Sequence, residues 1–231
     1  MALLRITVLI SGRGSNLGAL IAHARAGHID GAVTQVISNR PDAAGLALAD
    51  AAGIATSVVD HLGHRTRDAF DDALAVQVAH SEPDLIVLAG FMRVLRDDFV
   101  QHYAGRIINV HPSLLPLYPG LHTHRRALAD GIRIHGCSVH YVTPDIDVGP
   151  IIAQGAVPVW PDDDETTLAA RVLAIEHRLL PAAVAWHCAG RLVIDDGCVR
   201  LMDAASEGQQ ALLVPFPPSN LPTRSDNSGN V

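Results

Sequence analysis

Residues Leu4–Leu17 read LRITVLISGRGSNL, and this stretch decides the fold. Leu3 to Ile10 is apolar and β-branched, the pattern of a strand buried on both faces. It breaks abruptly at Ser11-Gly12-Arg13-Gly14-Ser15-Asn16, a turn of small residues, and Leu17 to Ala26 then reads as a helix. A buried strand, a glycine turn and a helix in that order make the opening of a βαβ unit.

Working outward, the alternation continues. Ala32 to Ser38 predicts a second strand, Ala43 to Ala52 a helix closed by Gly53, and Ala55 to Val59 a short strand. Thr66 to Ala79 predicts a third helix, and Asp84 to Ala89 a strand ending at Gly90. The second half changes character. Arg106 to Val110 predicts a strand running into His111-Pro112-Ser113, Leu114 to Leu121 is irregular, and His122 to Asp130 is helical. Ser138 to Val142 and Ile151 to Val159 read as strands joined by a loop short enough for an antiparallel pair. Thr166 to Cys188 predicts a long helix, and Arg191 to Ile194 with Cys198 to Leu201 a terminal hairpin about Asp196-Gly197. The expected class is α/β: a Rossmann-like, open, mostly parallel twisted sheet, helices on both faces, with an antiparallel C-terminal portion. The expected organisation is one domain over 1–202, with a phosphate-binding half over about 1–104 and a catalytic half over about 105–202. A flexible tail, rich in Pro, Ser and Asn, is expected over 203–231.

Composition narrows the function classes. The chain has 231 residues, nearly half of them apolar, and a formal net charge of −7. That acidic balance argues against nucleic-acid binding, which needs clustered Lys and Arg. Cys137, Cys188 and Cys198 form no CxxC pair and suit reduced thiols in a cytoplasmic protein. The first apolar run is too short to span a bilayer and lacks a signal-peptide cleavage site, so no membrane association is expected.

Three constellations can carry chemistry. Gly12-x-Gly14-Ser15-Asn16 sits where backbone N–H groups at a helix start attract anions. It lacks the third glycine of a dinucleotide fingerprint and the lysine of a P-loop, so a single phosphate fits better; a plain turn with a Ser cap is the alternative. Asn109-Val110-His111-Pro112 places an amide and an imidazole on one side of a strand's carboxyl end, where open parallel sheets bind ligands. His111 can carry a proton in either direction, and Asn109 can donate to a developing oxyanion. Asp147, in a tight Asp-Val-Gly-Pro turn, can orient a histidine, although spacing alone leaves it an ordinary turn residue. His122, His124, His135 and His140 stand at no recognisable zinc spacing, so no metal is expected. No Gly-x-Ser-x-Gly elbow supports a serine hydrolase.

Six segments together resemble one family. They are Val8–Leu17, Leu88–Arg93, Asn109–Pro116, Tyr118–His124, Gly136–His140 and Asp147–Pro150. In order and content they resemble the phosphoribosylglycinamide formyltransferases, over about Leu4 to Leu201. The resemblance implies Asn109, His111 and Asp147 as catalytic residues. It implies Gly14, Ser15 and Asn16 at the ribonucleotide phosphate and Glu176 at the ribose hydroxyls. On the folate side it implies Arg67, Met92, Arg93, Val94, Leu95, Val142, Thr143 and Asp147. It further implies 10-formyltetrahydrofolate as co-substrate, glycinamide ribonucleotide as acceptor, no metal, and a monomer or homodimer. Two departures stand out: Val148 follows Asp147 where many relatives have glycine, and Leu117 stands where a basic residue is frequent.

Three rival readings are weighed against it. A formyltetrahydrofolate deformylase would share the Asn, His and Asp but hand the formyl group to water; an added N-terminal regulatory domain is expected of it. A methionyl-tRNA formyltransferase would need a C-terminal tRNA-binding domain. A non-catalytic folate- or nucleotide-binding module is permitted by the fold, but has no need of the trio.

Overall fold

The first strand sorts its side chains by parity. In β1 (Leu4–Ile10), Ile6, Val8 and Ile10 enter one hydrophobic cluster and Leu9 enters another, as the period of two requires. The computed structural model describes residues 3–202; the expected tail over 203–231 lies outside them.

The remaining elements follow in near alternation: α1 (Ser15–Arg25), β2 (Gly31–Ser38), α2 (Ala44–Ala51), β3 (Ala55–Val58), α3 (Arg67–His80), β4 (Leu85–Leu88), α4 (Asp97–His102), β5 (Ile107–His111), α5 (Thr123–Ala129), β6 (Ile134–Tyr141), β7 (Ile151–Pro158), α6 (Glu165–Cys188), β8 (Leu192–Asp195) and β9 (Cys198–Leu201). Seven strands form one sheet in the order β3-β2-β1-β4-β5-β6-β7. β3, β2, β1, β4 and β5 pair in parallel; β6 and β7 are antiparallel. The sheet runs without a break from β4 to β5, across position 104. β8 and β9 form a separate hairpin, its Asp196-Gly197 tip at positive φ in both residues, as a two-residue hairpin turn demands.

Two layers of helix cover the sheet. Leu17, Leu20, Ala49, Ala127, Leu168, Val172 and Val184 bring α1, α2, α5 and α6 onto one face. Phe70, Leu74, Val78, Phe99 and Val100 bring α3 and α4 onto the other. Burying one such large side chain contributes about 1.5–3 kcal/mol, so these two stripes fix which way each helix faces. α6 is started by a capping box, in which Asp164 accepts from the Thr167 amide.

Two elements differ from the sequence expectation. α4 was not anticipated, because six residues are too few for a helical period to show. β6 begins at Ile134 rather than Ser138: His135 and Gly136 disguise a strand whose pairing with β7 carries it.

Candidate active site

β5 ends where it is useful. Ile107 packs with the α3 and α4 cluster, so Asn109 and His111, of the same parity, project to that face at the strand's carboxyl end. There they line a cavity of about 500 Å³, together with His140, Asp147, Gly90–Leu95 and Val142–Ile146.

The polar groups interlock. His111 Nδ1 lies 3.4 Å from Asp147 Oδ2, an ion-pair reach with both side chains largely buried. The Gly120 N–H donates to the same Asp147 oxygen at 2.8 Å. His111 Nε2 faces the Tyr118 carbonyl at 2.9 Å. Both ring nitrogens thus face groups that only accept, so the two contacts fix the plane of the ring. Tyr118, His122 and Asp147 adopt left-handed φ values of 54°, 58° and 56°, so the loops around His111 are held in conformations rarely taken by non-glycine residues. A Cβ at Gly149 would overlap the Tyr141 carbonyl, so glycine is required where the Asp147 turn folds back on β6.

His140 joins the trio, a role that sequence reasoning did not give it. β5 and β6 are antiparallel with Asn109 opposite His140, and the Asn109 Nδ2 lies 3.1 Å from His140 Nε2. His140 Nδ1 faces the Tyr141 carbonyl at 2.9 Å and therefore carries the proton. Burial pushes the His140 pKa down, outweighing the Tyr141 carbonyl and Asp147, so the ring is neutral and its Nε2 accepts from the Asn109 amide. That orients Asn109 and leaves its second N–H for another acceptor. Asp147 Oδ1 stands 3.7 Å from the same His140 nitrogen. The signal that would have found His140 is the β5–β6 register, which no local spacing reveals.

The other predicted residues fall in two places. Met92, Arg93, Val94, Leu95, Val142 and Thr143 line the cavity. The Arg93 guanidinium lies over the Phe70 ring, 5.5 Å from its centre. Arg67 is outside the cavity lining; it donates to the Val94 carbonyl at 3.2 Å and approaches Asp71 at 3.5 Å, so it braces that wall from behind. Gly14, Ser15, Asn16 and Glu176 are also not part of the lining. Gly14 caps α1 in the left-handed region, with φ of 76°. Asn16 Nδ2 donates to Glu176 Oε2 at 2.7 Å, which brings α1 and α6 together. Burial raises the Glu176 pKa and the Asn16 bond opposes it. Asn16 Oδ1 is buried without a partner, an acceptor directed at nothing in the protein. His124 and His135 face one another, Nδ1 to Nε2 at 3.2 Å; burial lowers both, His135 to about 4.

Residues 4–184 match the family model described as formyl transferase. The phosphoribosylglycinamide formyltransferase of Escherichia coli is 48% identical over 198 residues, which are 86% of this chain and 93% of that protein. The human trifunctional purine biosynthetic protein adenosine-3 is 45% identical over 180 residues; the match spans 78% of this chain but only 18% of that longer protein. Among solved structures, glycinamide ribonucleotide transformylase 1 from Symbiobacterium toebii superposes with a TM-score of 0.85 at 46% identity, covering 87% of this chain and 95% of that one. A formyltetrahydrofolate deformylase from Pseudomonas syringae superposes with a TM-score of 0.81 at 25% identity, covering 87% of this chain and 66% of that one.

Proposed function

The chain belongs to the formyl transferase family, and on that premise we propose that Asn109, His111 and Asp147 carry the transfer of a formyl group from 10-formyltetrahydrofolate to the amine of glycinamide ribonucleotide. The products are formylglycinamide ribonucleotide and tetrahydrofolate, a step of purine synthesis. The observation that carries this reading is the meeting of His111, Asp147, Asn109 and His140 on one wall of a cavity large enough for a folate head group.

The amine nitrogen attacks the formyl carbon, and negative charge grows on the formyl oxygen. The free N–H of Asn109 donates to that oxygen. His111 donates a second hydrogen bond when the oxygen takes the place of the Tyr118 carbonyl at Nε2. Asp147, across the ring, fixes its orientation. The amine loses a proton, the folate nitrogen gains one, and the carbon–nitrogen bond to folate breaks as the carbonyl re-forms. Met92–Leu95 and Val142–Thr143 hold the folate, with Arg93 toward its glutamate carboxylate. Gly14, Ser15 and Asn16 hold the phosphate at the start of α1, and Glu176 accepts from the ribose hydroxyls.

Both reactants are small molecules; a cytoplasmic location suits them. Among the described residues no helix is long and apolar enough to cross a membrane. A formyl-transfer assay tests the proposal. Product should form with glycinamide ribonucleotide and formyl-folate together, and formyl-folate alone should stay intact. Formyl release without the amine would instead mark a deformylase. His111→Ala should abolish turnover while folate binding survives; folate binding in a parent that never turns over would mark a binding module.

A further inference from the structure

The sheet changes direction of winding between β1 and β4, and the loops leaving these two strands are the two substrate loops of the proposed function. Ser11 closes β1 and opens the glycine turn. Met92 lies just beyond β4, at the head of the cavity wall. The Ser11 hydroxyl accepts the Met92 N–H at 2.7 Å and donates to Asn39 Oδ1 at 2.6 Å. Asn39 follows β2; its N–H reaches the Ile10 carbonyl at 3.4 Å, and its own carbonyl accepts from the His61 N–H at 3.2 Å. Ser11 is 7% exposed and Asn39 2%. One buried hydroxyl therefore joins the loops that follow β1, β2 and β4.

We propose that Ser11 and Asn39 are positioning residues that hold the ribotide loop and the folate wall in register across the switch point. The proposal rests on the assignment of Gly14–Asn16 to the ribotide and Met92–Leu95 to the folate. Ser11 does not line the cavity, and nor does Asn39, so each acts through its neighbours. The hydroxyl is committed in both directions: its single proton goes to Asn39, and a lone pair takes the Met92 amide. Without it, Asn39 Oδ1 becomes an unpaired acceptor in a buried place and Met92 N–H loses the bond that ties the cavity wall to β1, so either loop shifts to regain a partner. Both binding surfaces lose a tether when that oxygen is removed, because both hang from it.

Steady-state kinetics on the full chain test this. Ser11→Ala should raise the KM for both glycinamide ribonucleotide and formyl-folate by about tenfold, with kcat changed by less than about threefold, the signature of lost binding common to ground and transition states. Ser11→Thr, which restores the hydroxyl, should recover both values. Ser11→Cys, a weaker partner of similar size, should give a smaller rise in both and serves if the alanine variant does not fold. The control is Thr7→Ala on the same strand. Thr7 Oγ1 and Ser81 Oγ form an equally buried pair at 2.7 Å, remote from either loop. That variant should lower Tm and leave both KM values alone. The proposal is overturned if Ser11→Ala lowers Tm without moving either KM, or if Thr7→Ala raises both KM values as much. A parent with no formyl transfer overturns the functional assignment itself, and the positioning role with it; a parent with full activity and an unaltered Ser11→Ala variant overturns only the positioning role.

Discussion

Asn109 and His140 show what a single hydrogen bond decides. The Asn109 side chain has two N–H groups, and His140 takes one of them at 3.1 Å, so the other is aimed by default. Asn109→Ala should cut kcat by about 10² to 10³, the usual loss for one oxyanion donor. His140→Ala leaves the amide present but free to rotate; kcat should fall by about tenfold with both KM values near those of the parent, measured by initial rates on variants that keep the parent circular dichroism. Equal kcat for His140→Ala would remove the orienting role argued for it. At this scale much of the site was legible. Asn109 and His111 stood out because they share parity at a strand's carboxyl end, and that is where the structure puts them. His140 escaped because its partner lies 31 residues away, across an antiparallel pairing. The Asp147 turn was legible as one that can orient a histidine, but its catalytic assignment came from the family resemblance; its left-handed backbone and its approach to His111 are properties of the folded loop.

Among elements, the contact between the glycine turn and α2 makes a sharper test of the ribotide loop. Gly45 N–H donates to the Gly12 carbonyl at 3.0 Å. A Cβ at Gly45 would stand 2.6 Å from Ile10 Cδ1 and 3.1 Å from Gly14 Cα. The first turn of α2 therefore presses directly on the loop assigned to the phosphate. Gly45→Ala should displace that loop, raising KM for glycinamide ribonucleotide by about tenfold or more, since overpacking a tight contact costs about 1–3 kcal/mol. KM for formyl-folate should stay within a factor of about two, because the folate wall comes from the segment after β4. Equal rises in both would overturn the confinement of this contact to the ribotide loop. The elements themselves were mostly legible from hydrophobic period and turn chemistry: the strands to β5, the long α6 and the Asp196-Gly197 hairpin stand as expected. Sheet order was not, since no local pattern says that β1 sits between β2 and β4; that follows from crossover geometry and core packing.

Across the whole molecule, buried imidazoles set the response to acid. Burial pushes the pKa values of His124, His135, His140, His177 and His187 below the ordinary 6.5, His135 to about 4. In the window between those values and 6.5 the unfolded chain binds protons that the native chain refuses, so stability rises with pH there and is lost as pH falls. Glu176 works the other way, since its raised pKa lets the native state keep a proton just above 4.5 as pH rises, but it is one group against five. Tm should therefore be nearly level from about pH 8 to 7 and fall steadily from about 6.5 toward 4. His135→Asn, which keeps a polar side chain without a titrating ring, should flatten the lower part of that slope; a Tm that climbs on acidification would refute the assignment. The position of these rings gives the loss a direction. His135 and His140 lie in β6, and His187 reaches β6 through the Tyr141 hydroxyl at 2.8 Å. Charging them strains the strand that orients Asn109, so turnover should decline at a higher pH than that at which the chain unfolds, and a pH-rate profile laid over the Tm curve reads the interval between the two.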